Sequence, residues 1–222
     1  MSGFFAEEAS VRTVATLLLH ARDVQADEAA MKLEGAEKLV LVAMKVACNL
    51  FTSPLMVASL FASGNERVLE GVVALAARGV ASGPNEGTAG IKAAAAALAV
   101  NIATASNRYL PVPPHAHSTT ATHLAPPTLS TDHAIELAAS LIESIGTETN
   151  PDVIKNMAIA LGRLVYGKSE EEVGELGDVC LAMEAGTAVE GKAGKEGMGR
   201  EEEDLVREIG SVLLEEGLVV GW

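Results

Sequence analysis

No stretch of this chain alternates apolar and polar side chains with period two for long enough to form a strand. Apolar residues instead recur three and four apart, segment after segment. That rhythm predicts helices over 7–23, 36–51, 66–80, 88–107, 131–145, 151–166, 169–183 and 200–216, with a shorter one starting at Pro54. Punctuation marks their ends. Ser53-Pro54, Asn65 and Asn150-Pro151-Asp152 are start signals, and Ser169 with Glu172 makes a capping box. In helix 36–51, Leu39, Ala43, Val46 and Leu50 form one stripe and Val40, Met44, Ala47 and Phe51 its neighbour. Such a helix is buried over more than half its girth. About nine helices of this kind, joined by short connections, predict an all-α fold, an α-solenoid of stacked helix pairs or triplets. The low aromatic content, 3% against 49% apolar, argues the same way, since sandwiches and barrels draw on aromatic and β-branched residues.

Two segments break the rhythm. Residues 110–130, following Tyr109, hold five of the eight prolines and three of the five histidines and read as a surface loop, partly disordered. Residues 186–199 read as a Gly/Lys linker ahead of a last amphipathic helix. The whole of 1–222 is expected to form one domain.

The formal charge is −14, and most of it lies at the end: residues 169–222 carry 15 acidic side chains against 4 basic ones. This balance argues against nucleic acid as a partner, because phosphate binding needs a cationic footprint. The remaining body is near neutral and has room for a local basic groove. The first residues, MSGFFAEEAS, lack the pattern of a secretory signal, and the most apolar run, 93–100, is too short to span a bilayer. No membrane partner is expected. Cys48 and Cys180 fit buried thiols of a reducing compartment, so the chain reads as cytoplasmic or nuclear.

What interrupts the apolar helices is more telling. Lys45 and Asn49 lie four apart on one helix. Asn101 sits inside AALAVNIATA with Arg108 seven residues on. Asn156 sits inside VIKNMAIALGRL, beside Lys155 and again with a cation, Arg163, seven residues on. The asparagines are 52 and 55 residues apart, close to a helical repeat plus a loop. Asn is a poor helix former and costly to bury unpaired. One reading is a ladder of amides that donates to and accepts from an extended peptide, with the cations attracting its acidic groups. The other is that each Asn bonds a carbonyl of a neighbouring inter-helix loop.

The same residues carry a resemblance. LVLVAMKVACNLF (39–51) resembles the Leu-Arg-Ala-Leu-Ala-Asn-Leu-Phe signature of PUL domains, KAAAAALAVNIAT (92–104) their Ala-Thr-Leu-Leu-Leu-Asn-Tyr segment, and DVIKNMAIALGRLVYG (152–167) their Tyr-Arg-x-Leu-Val-Ala-Leu-Gly segment. Order and spacing agree, and residues 33–185 are the most similar part. The resemblance implies an armadillo fold and a non-catalytic domain of the ubiquitin–proteasome pathway. It also implies a partner, the acidic C-terminal tail of the AAA-type segregase valosin-containing protein, bound in a basic groove. Lys45 stands where the family has Arg, Asn49 and Asn101 match the family's asparagines, and Asn156 stands where the family has Arg. Lys155, one position earlier and about 100° round the helix, replaces that charge only partly, and Arg108 and Arg163 are groove candidates from helical geometry alone. The alternative is a structural or dimerisation domain supporting an isopeptidase-like or thioredoxin-like domain in a longer chain.

Catalytic and cofactor motifs are not apparent. His115, His117 and His123 share a loop without a fourth ligand or a rigid frame for zinc, and GxSxG, GxxxxGK[ST] and HExxH are all absent. No cofactor and no enzymatic activity are expected, and the sequence leaves the oligomeric state open.

Overall fold

The computed structural model describes residues 8–53, 57, 66–83, 86–106, 129, 131–165, 186–193 and 198–219. Its helices are α1 (Glu8–Ala26), α2 (Glu28–Met31), α3 (Ala36–Phe51), α4 (Glu66–Val80), α5 (Glu86–Ser106), α6 (Thr131–Thr147), α7 (Pro151–Val165) and α8 (Arg200–Val219). No strand occurs among the described residues, and the fold is all-α and armadillo-like. The expected helix over 169–183 with its capping box, the Asn65 cap, Arg108, the three loop histidines and Cys180 lie outside the described residues. So does the short helix from Pro54, apart from a buried, helical Val57.

Two layers form. α1, α4 and α6 pack side by side in one, and α3, α5 and α7 in the other, with α8 against the far side of α7. The chain crosses between layers at each step, α1 to α3, α4 to α5, α6 to α7, which is the repeat of a solenoid. Large side chains such as Leu18, Met44, Leu75, Ile91, Leu98, Ile102, Leu137, Leu141, Ile154 and Met157 fill the seam between the layers. Alanines 95, 96, 99 and 103 of α5 are buried among them and let that helix approach its neighbours closely. Over Thr88–Ser106, α5 is long and apolar enough to cross a bilayer by length and composition, longer than the run singled out in the sequence. In the fold it lies between α3 and α7 with Ile91, Leu98 and Ile102 buried, as a core helix does.

Local chemistry sets the ends. Gly35, at φ 86°, caps α3 in the left-handed region that glycine adopts without strain. At the other end the amides of Thr52 and Ser53 fold back onto the carbonyls of Asn49 and Leu50. Asn150 caps α7 as expected, its Oδ1 accepting from the Asp152 amide at 3.0 Å.

Residues 186–193, the first part of the expected Gly/Lys linker, are folded onto the solenoid. Residues 186–190 are helical and Val189 is fully buried. Lys192 is only 4% exposed, and its Nζ donates to the carbonyls of Gly146 at 2.8 Å and Glu148 at 2.9 Å. The segment and α8 pack on each other so tightly that a Cβ on Gly210 would meet Glu190 at 2.6 Å. Together they dock on the α6–α7 end of the solenoid.

Candidate peptide-binding face

The open side of the α3–α5–α7 layer carries the polar row. On α3, Lys45 and Asn49 are exposed one turn apart, beside Val42, a valine left 44% exposed. Neither Lys45 nor Asn49 is bonded to another described side chain. Asn101, on α5, is half-buried, and its Nδ2 donates to the Cys48 carbonyl at 3.2 Å. In a continuing helix that carbonyl would receive the Thr52 amide. Thr52 has turned to Asn49 instead, so Asn101 satisfies a carbonyl that the end of α3 leaves open. The bond is of the structural kind weighed from sequence, although its partner is a helix-end carbonyl and not a loop. It also fixes Asn101 one residue from Asn49, and among the described residues its Oδ1 and second amide hydrogen have no other partner.

α7 is tied to α5 in a similar way. Arg163 is exposed, and its Nη1 donates to Thr104 Oγ1, three residues beyond Asn101; the Thr104 hydroxyl in turn donates to the Val100 carbonyl at 2.6 Å. Lys45, Asn49, Asn101 and Arg163 therefore sit on successive helices of one layer, laced by two inter-helix hydrogen bonds. Asn156 is half-buried on the same helix as Arg163. Lys155, one residue before Asn156, reaches toward α8, where its Nζ meets Glu202 Oε1 at 2.9 Å. That contact raises the lysine's pKa and, with the Gly199 amide, lowers the carboxylate's.

Sequence reasoning missed Thr104, whose role depends on an arginine 59 positions away. It also missed a charged hub at the edge of the solenoid. Glu148, in the α6–α7 turn, pairs with Lys92 of α5 at 2.9 Å and accepts the amides of Thr149 and Asn150 at 2.8 Å. Burial pushes its pKa up, but the Asn150 amide, the Lys92 ammonium and the Thr149 amide outweigh that and hold it below the ordinary carboxylate range. The hub borders a cleft of about 620 Å³ that Ser82, Ser144 and Asn150 also line.

Cys48 is half-buried against α5, its Sγ 3.8 Å from the Ala94 carbonyl. Burial pushes its pKa up to about 11, so at pH 8 only about one molecule in a thousand carries the thiolate. We expect mass-spectrometric mapping after brief iodoacetamide treatment at pH 8 to find Cys48 almost unmodified and alkylated only as the pH nears 11. Rapid alkylation at pH 8 would contradict the burial. Among the described residues, no group of His, Cys, Asp and Glu side chains is placed to hold a metal ion.

Comparison with known proteins returns one finding. The family model of the PUL domain matches residues 1–212 of the 222. No curated protein and no solved structure matches the chain. The match spans nearly the whole sequence, including all three motifs and the helices that carry the polar row, and the chain belongs to the PUL domain family of protein-interaction domains.

Proposed function

We propose that the open face of the α3–α5–α7 layer binds an acidic C-terminal peptide, as the tail of an AAA-type segregase of the valosin-containing protein family would present. One observation carries the reading. Cationic and amide groups from three successive helices, Lys45 and Asn49, Asn101, and Arg163, lie along one layer and are linked by the Asn101–Cys48 and Arg163–Thr104 bonds. An extended peptide needs such spacing, with amides for its backbone and cations for its side chains or terminal carboxylate. Two of these side chains, Lys45 and Asn49, are exposed and bonded to no other side chain among the described residues, so binding them breaks no bond seen there. The domain works by contact, and any chemistry belongs to its partners.

The test is a titration with the segregase tail peptide beside a version lacking its terminal acidic residues. Only the intact peptide should bind, more weakly as salt rises. Lys45→Glu should weaken it about tenfold, since it replaces an attraction by a repulsion at an exposed position while leaving the fold alone. Equal binding of both peptides, or a silent Lys45→Glu, would sink the reading. A silent variant together with concentration-dependent sedimentation would favour self-association as the role of this domain.

A further inference from the structure

We propose that the acidic first turns of α8 are a built-in competitor for the acidic peptide, holding Lys155 until a peptide displaces them. The proposal rests on the peptide-binding reading above. After Arg200, the first turns of α8 carry Glu201, Glu202, Glu203 and Asp204, a run with the chemistry expected of the partner. Glu202 reaches Lys155 on α7, the helix that also carries Arg163 of the polar row. The chain therefore places an acidic segment of its own on a cation at the border of the face that would receive an acidic peptide.

The contact is of the exchangeable kind. The Lys155 and Glu202 side chains remain 32% and 27% exposed, against 13% and 12% for the Lys92–Glu148 pair at the edge hub. A pair so open to water is screened by salt and individually weak, whereas the hub pair is enclosed and serves the fold. The apolar anchors of α8 lie further along. Val206 and Leu213 are buried, and Ile209 packs at Gly162. The first turn can release Lys155 while these anchors keep the helix in place. Because the acidic run is tethered, its local concentration is high, so even a weak contact competes with a free peptide.

Fluorescence anisotropy of a labelled oligo-aspartate peptide with a free carboxylate, on the full chain at low salt, tests this. Glu202→Gln should tighten binding by about two- to fivefold. Glu203→Gln, which removes an acid paired to Arg207 within α8, should leave affinity nearly unchanged. Lys155 acetylation, read by mass spectrometry, should rise in Glu202→Gln and fall when peptide is added. Unchanged or weaker binding by Glu202→Gln while the parent protein binds overturns the competitor and spares the peptide-binding face. Equal tightening by Glu203→Gln also overturns it, because net charge alone would then account for the gain. Failure of both the parent and Glu202→Gln to bind overturns both readings.

Discussion

Replacing Lys192 with alanine is expected to lower unfolding stability by about 3 kcal/mol and to release residues 186–193 and α8 before the rest of the solenoid. α6 ends at Thr147, and its last carbonyls need donors. Ser144 receives the Glu148 amide and the Thr147 hydroxyl, and Ile145 shares that amide. Gly146 and the Glu148 backbone receive the buried ammonium of Lys192. A cation at this position also meets the negative end of the α6 dipole. Removing it leaves two carbonyls facing a space that water reaches poorly, and truncation to Ala adds a cavity. Lys192→Met separates these effects. It keeps most of the volume and removes the desolvation cost of the charge, so it should be less damaging than Ala but still well below the parent. Urea unfolding gives the free energies, and hydrogen exchange gives the location, with α8 amides losing protection first. A Met variant as stable as the parent would show that Lys192 acts as filler and not as an anchor.

That lysine also marks where the sequence stopped being legible. α3 was readable to the residue, because Glu34-Gly35 before it and Ser53-Pro54 after it are local signals and its stripes are broad. The Asn150 start of α7 was equally local. Lys192 sits among glycines and alanines that look like a linker, and only carbonyls 44 and 46 positions earlier turn it into a buried anchor. The polar row was half legible. Periodicity placed Lys45, Asn49, Asn101, Asn156 and Arg163 on helices, and each lies on a helix in the fold. It did not reveal that Asn101 meets the Cys48 carbonyl 53 positions away, that Arg163 meets Thr104, or that Lys155 faces α8. Helix register is written locally in a sequence, but the pairing of helices is fixed only when the layers close.

Gly79→Val should have a second large effect, for a reason that propensity alone would get backwards. Gly79 lies near the end of α4, where glycine normally weakens a helix by about 1 kcal/mol relative to alanine. Substitution would therefore be stabilising on local grounds. The packing decides otherwise. A Cβ at Gly79 would stand 2.5 Å from the Ala95 Cβ of α5 and 2.6 Å from Met44 Cε of α3. The methionine end can swing aside, but the alanine Cβ moves only with its backbone, so α5 itself must shift. α5 touches both α3 and α7, and the shift would strain the seam that holds Leu98 and Ile102. Overpacking of this kind typically costs about 1–3 kcal/mol, and valine, with three added carbons, should sit near the top at about 3 kcal/mol. Alanine should be milder, its helix gain offsetting part of the clash. Gly71 provides the control, because a Cβ there meets the tip of Leu19 at 2.9 Å, a flexible side chain of α1 that can turn away. Gly71→Ala is therefore expected to be near neutral in the same urea titration. If Gly79→Val proved as stable as the parent, α4 and α5 would have to lie further apart than this fold places them. The α3–α5 contact through Asn101, on which the polar row depends, would then lose its support.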